Sequence, residues 1–258
     1  MEIFLVTRNS RYLEDDIADL LDILSHLRSS PKSSLANIAI DPETVSMGYR
    51  TLRSNAPRRR QPYLSINRTG VAPLEQTGRR MEERLAMALF NRGEIEIVNR
   101  GGLRIIDYQM PLKSVRGDRG VGKIDLLAAT EHGALAVVEL KVWHNKEDRR
   151  VGLLEALAYT AILEANISVI AKEILVRHGF EVEHARPEIL VVAPLEFWTN
   201  ARGFPSANRM IELAAEIAER ESLNIDLVYL DGVASFDQGL GGSKPTVTGN
   251  IRLVPLSR

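Results

Sequence analysis

The chain contains no cysteine. Disulfides, zinc–thiolate sites and thiol nucleophiles are therefore excluded, and a cytoplasmic location is the expectation. Long hydrophobic runs are also missing: no stretch approaches the roughly 18 uncharged apolar residues of a membrane span. The opening Met1-Glu2-Ile3-Phe4-Leu5-Val6-Thr7 is too short, and wrongly charged, for a secretory signal. There is no P-loop, no Rossmann glycine fingerprint, no Gly-x-Ser-x-Gly elbow and no His-Glu-x-x-His. The common nucleotide-binding, serine-hydrolase and zinc-protease readings thus lose their usual signatures.

What is present is an ordinary globular composition with an uneven charge distribution. The net charge is -1, but residues 45–123 carry +9, against -4 before them and -6 after them. Arg50, Arg53, Arg58, Arg59, Arg60 and Arg68 precede the first acid of that region, Glu75. A basic segment of this kind can neutralise phosphates, or it can be a solvated linker.

Apolar periodicity gives the order of elements. A short strand is expected at 2–7, followed by a helix carrying Tyr12, Leu13, Ile17, Leu20, Leu21, Leu24 and Leu27, capped by Asn9 or Ser10. That leucine stripe suits either core packing or a homodimer. Asp41-Pro42-Glu43 starts another helix. The proline- and arginine-rich stretch 55–62 marks a boundary, separating an N-terminal extension (1–70, for DNA binding or dimerisation) from a main domain (71–258). Beyond it the pattern predicts a helix at 78–91, strands at 94–98, 103–109, 123–130 and 134–142, and helices at 150–165 and 166–178. A strand at 187–194, a helix at 206–221 and strands at 225–230 and 247–254 complete it. This order implies an α/β sandwich around a mixed sheet.

The chemistry concentrates in Gly122-Lys123-Ile124-Asp125-Leu126-Leu127 and Ala136-Val137-Val138-Glu139-Leu140-Lys141. Between them, Glu131-His132-Gly133 makes a three-residue hairpin loop. If Thr130 pairs with Ala134, Asp125 faces Glu139 across the ladder, with Cβ atoms roughly 5 Å apart. Lys141, two residues further along, shares their face. Two facing carboxylates repel, and a hard divalent cation resolves the repulsion; Lys141 can then hold an attacking water or neutralise charge on phosphorus. The same trio also reads as a salt-bridged set on a half-exposed strand. The apolar run before Glu139 favours a buried strand, where a charge must be paired or used.

An Asp followed at this distance by Glu-x-Lys on an apolar strand resembles the PD-(D/E)XK nuclease superfamily, nearest its resolvase and NucS-like branches. The resemblance spans residues 78–231, with Ile124 standing where many members have Pro. It implies a restriction-endonuclease-like α/β fold: a mixed sheet core flanked by helices, here with a small N-terminal α/β extension. It also implies Mg²⁺- or Mn²⁺-dependent phosphodiester hydrolysis, most naturally in DNA, without a membrane. Asp125, Glu139 and the Leu140 carbonyl would bind metal, and Lys141 would position water. Glu82 (with Glu83 in reserve) and Glu155, followed by Tyr159, would assist from flanking helices. Arg58, Arg59, Arg60 and Lys123 would grip the nucleic acid. His132 and His144 are weaker candidates for acid–base work.

Overall fold

A computed structural model describes residues 19–30, 40–65, 68–73, 80–114, 121–142, 147–199, 205–240 and 242–257. Among these there are seven strands and seven helices, three helices preceding the first four strands. The helices are α1 (Leu20–Ser29), α2 (Pro42–Ser54), α3 (Met81–Arg92), α4 (Arg149–Ala165), α5 (Ile167–His178), α6 (Leu195–Thr199) and α7 (Ala207–Glu221). The strands are β1 (Glu94–Ile97), β2 (Gly101–Pro111), β3 (Lys123–Thr130), β4 (Leu135–Leu140), β5 (Glu188–Ala193), β6 (Ile225–Asp237) and β7 (Thr246–Pro255). The expected strand at 2–7 and the caps Asn9 and Ser10 lie outside the described residues. The first described helix is instead closed at its N-terminus by Asp19, in a reciprocal capping box with Asp22. Asp41 caps α2 as anticipated, accepting from the amides of Glu43 and Thr44.

The expected open, restriction-endonuclease-like sheet is not what forms. The seven strands close into a mixed barrel in sequential order, β1 pairing in parallel with β7 through Glu96–Arg252 and Ile97–Leu253. Two features account for this. First, β6 runs on to Asp237, past the predicted end at 230, and bends where its register with β7 shifts around Val233. Second, α3 is buried continuously from Arg84 to Leu89. A helix buried all round needs apolar partners on every side. It packs against β1, β2, β3, β4, β6 and β7, so the sheet wraps around it. Arg84 Nη1 fastens it to the far turn, donating to the carbonyls of Gln238 (2.7 Å) and Gly239 (3.3 Å).

The outer face of β3, β4 and β5 is covered by α4, which is buried from Arg149 to Leu163 because α1 and α2 lie over it in turn. Leu20, Ile23, Leu24 and Leu27 of α1 join this core, so the stripe that would suit a second copy packs within the chain. The stretch around 55–65 also packs down: Tyr63 and Leu64 are buried, and their amides donate to Glu173 of α5. No single helix of the described residues is long and apolar enough to cross a membrane.

Candidate active site

The β3–β4 hairpin has the register its sequence implies. Thr130 N donates to the Ala134 carbonyl at 2.9 Å, and Ala129–Leu135, Ala128–Ala136, Leu127–Val137 and Leu126–Val138 pair in turn. One more step sets Asp125 opposite Glu139. There the ladder gives way to a side-chain contact, with the Leu140 amide donating to Asp125 Oδ2 at 2.9 Å. The Leu140 side chain is buried in the inner core. The residues meet where the parallel strands β4, β5 and β6 present their carboxyl ends, the usual place for a ligand on a parallel sheet.

Lys141 is buried at the centre. Its Nζ lies 3.2 Å from Glu139 Oε1, 3.1 Å from Glu147 Oε2 and 2.7 Å from Glu155 Oε2. Glu155 also bonds Arg28, which reaches in from α1. On α4, Gly152, Glu155 and Tyr159 follow at intervals of three and four residues, so they share one helix face. Gly152 opens a channel for the lysine, because a Cβ there would stand 3.0 Å from Lys141 Cε and 3.4 Å from Val191 Cγ1. Gly122 is similar: its Cβ would meet the Tyr159 hydroxyl at 2.2 Å.

The electrostatics are unbalanced. Four carboxylates (Asp125, Glu139, Glu147 and Glu155) share the cations Lys141 and Arg28. Burial pushes the partly buried Asp125 carboxyl up to about 7; the Leu140 amide and Lys141 pull the other way, and Glu82 and Glu155 add to the rise. Burial also lifts Glu139 well above the carboxylate range, helped by Asp125 and Glu155. Against the desolvation cost, Glu139 and Glu155 hold the Lys141 ammonium firmly protonated. For Glu155 the order reverses: burial raises it, but Lys141 and Arg28 outweigh burial and leave it below its ordinary value.

No family model, curated protein or solved structure matches the chain. Glu139 Oε2 is buried without a hydrogen-bond partner. Burial, neighbouring acids and a hydrogen bond with Glu155 disfavour the ionised form of Glu139, and a divalent cation is the kind of partner that would stabilise it. Among the described residues no group of three or more carboxylate or histidine side chains is placed to hold a metal ion. The protein donors there are Asp125 and Glu139, so main-chain and water oxygens would have to complete any cation's shell, as magnesium's often do.

The remaining expected residues separate clearly. Glu82 acts electrostatically on both Asp125 and Lys141, whereas Glu83 pairs with Arg80 at 3.1 Å near the surface. Arg59 is held by the chain itself, donating to the carbonyls of Gln61, Pro62, Pro111 and Lys113. Arg58 and Arg60, on either side of it, are exposed, as is Lys123, two residues before Asp125. His132 is exposed in the hairpin turn, and His144 lies outside the described residues. Sequence reasoning overlooked Glu147, Arg28 and Gln109. Arg28 sits on α1 and Glu147 just before α4, neither with a periodic mark, and Gln109 lies on the neighbouring strand of the same sheet.

The Gly152 channel gives a test of lysine placement. In Gly152→Ala the gain in helix propensity, about 1 kcal/mol, offsets the crowding. Thermal stability should stay near the parent's while any turnover falls about tenfold through displaced Lys141. Parallel melting and rate measurements check this, and a variant with parental turnover would show that the lysine tolerates the move.

Proposed function

We propose that this chain is a divalent-metal-dependent nuclease that hydrolyses phosphodiester bonds, with DNA as its substrate and the cytoplasm as its compartment. The observation carrying this reading is the buried, unpartnered Glu139 Oε2 beside Asp125 and Lys141. Asp125 and Glu139 would hold Mg²⁺ or Mn²⁺, which when bound supplies Lewis acidity at a phosphoryl oxygen and a more acidic water.

The chain's own groups account for the rest. Lys141 presents a fixed ammonium donor that orients the attacking water and offsets negative charge as it develops on phosphorus. Glu155 and Glu147 keep that ammonium protonated and in place. Glu82 adds to the negative potential that draws a cation in. Arg58, Arg60 and Lys123 form a basic rim for the nucleic-acid backbone, where sequence-independent phosphate contacts supply affinity.

One observation favours a second reading, a nucleic-acid- or protein-binding chain without catalysis. Lys141 is already held by three carboxylates, as a purely structural cluster would hold it. A single experiment separates the two. Purified protein is incubated with single-stranded, double-stranded and branched DNA, and with RNA, with and without Mg²⁺ or Mn²⁺. Metal-dependent cleavage lost in Asp125→Ala is the expected result. Cleavage that survives in Asp125→Ala would overturn the assignment, and binding without cleavage by the parent chain favours the second reading. Metal should also raise thermal stability, by about 2.7 kcal/mol at a hundred times the dissociation constant.

A further inference from the structure

Gln109 has a backbone φ of 49°. Residues other than glycine rarely adopt this left-handed region, and asparagine and aspartate supply most exceptions. Glutamine has no local reason to be there. Such outliers persist where the surrounding structure enforces them, and they gather at functional sites. The enforcement here is explicit. A register shift between Ile105 and Asp107 bulges β2 just before Gln109. Arg68 Nη2 then holds the Gln109 carbonyl at 2.9 Å. Arg68 is itself fixed by Asp107 Oδ1 at 3.2 Å and by the Tyr108 ring, 4.5 Å from its guanidinium carbon.

The constraint aims the side chain at Asp125. Tyr108 pairs with Leu126 and Met110 with Ile124, so Gln109 lies across from Asp125 in the ladder. Its Nε2 donates to Asp125 Oδ1 at 2.5 Å. The Leu140 amide takes Oδ2, so the carboxylate is held from both ends and cannot rotate. Each oxygen has accepted one bond, and a carboxylate offers about four acceptor sites. Lone pairs therefore remain on both oxygens, in a fixed direction. A neutral amide holds the group without cancelling the charge that a cation needs; a lysine or arginine in its place would compete with the metal.

We propose that Gln109 is a positioning residue for Asp125 as a metal ligand, and that the left-handed backbone is kept for this purpose. This rests on the metal-site reading above. Hydrogen-bonding partners of metal-ligating groups commonly carry ten- to a hundredfold in affinity.

The test uses the full chain, with Mn²⁺ binding measured by calorimetry and urea unfolding measured in EDTA. Gln109→Asn keeps an amide and tolerates the left-handed backbone, but it is one methylene too short to reach Asp125. Gln109→Gly relieves the backbone and removes the donor. Both should unfold in EDTA at or above the parent's urea midpoint, and both should bind Mn²⁺ at least about tenfold more weakly. Parental Mn²⁺ affinity in both variants would overturn the proposal, whether or not their stability changed. If that happens while the parent binds Mn²⁺ and cleaves DNA, the positioning role alone fails. If the parent binds no Mn²⁺, the metal site and this role fail together.

Discussion

Replacing Lys141 with alanine should abolish two properties that metal then separates. In metal-free buffer the variant should unfold about 3–5 kcal/mol more easily, because removing one member of a buried ion cluster leaves its partners uncompensated. Glu139, Glu147 and Glu155 all lie within 3.2 Å of the ammonium, and Glu139 and Glu155 are themselves buried. Millimolar Mg²⁺ should restore much of that loss, since a divalent ion can neutralise the same carboxylates. Turnover should not return. A positioned donor at developing charge carries about 10²–10³ in rate, and the metal does not replace it. Urea midpoints and single-turnover DNA cleavage, each with and without Mg²⁺, give the four numbers required. Full recovery of cleavage in Mg²⁺ would reduce Lys141 to a counter-ion for the acid cluster. Failure of Mg²⁺ to restabilise the variant would count against the carboxylates as a cation site.

The hairpin that carries these residues was legible in advance because its information is local. A three-residue turn ending in glycine fixes the register of β3 and β4, and strand alternation then fixes which side chains share a face. Glu155 and Tyr159 could be read because a helix places residues four apart together. Glu147, Arg28 and Gln109 could not. Each reaches Lys141, Glu155 or Asp125 from a segment whose position depends on the tertiary fold, and no spacing rule connects residue 28 to residue 155. The Arg58–Arg60 run shows a related limit. Composition marks it as basic, but only the structure shows that Arg59 is anchored by main-chain carbonyls while its neighbours face solvent.

The closure of the sheet leaves two signals in the sequence. The segment Leu85-Ala86-Met87-Ala88-Leu89-Phe90 is apolar on every side, which suits a helix inside a barrel better than one lying on a sheet. In β6, Asp231-Gly232 looks like a strand end, because a polar residue and a glycine usually close a strand. Here the glycine marks a bend within one.

That bend is where the barrel is most easily broken. Gly232 has φ +72°, and a Cβ there would stand 1.9 Å from the Asn250 carbonyl oxygen and 2.7 Å from its carbon. Those atoms are backbone, so no side chain can swing aside, and β7 itself must move. Gly232→Val should therefore cost about 3 kcal/mol or more, from left-handed strain together with the forced separation of β6 and β7. The damage should be directional. β7 meets β1 through only two residue pairs, reinforced by Val98 N donating to the Leu253 carbonyl at 2.9 Å. Hydrogen exchange at Val98 should speed up markedly, while the amides of the β3–β4 hairpin stay protected. Its ladder continues into β2 and β5 and does not depend on β7. The proposed DNA cleavage should then persist at temperatures where the variant remains folded. Loss of cleavage with the hairpin still protected would mean that the chemistry needs the closed barrel, whose wall holds Glu82 of α3 near Asp125. Unchanged exchange at Val98 would mean that closure comes from packing around α3 rather than from the glycine bend.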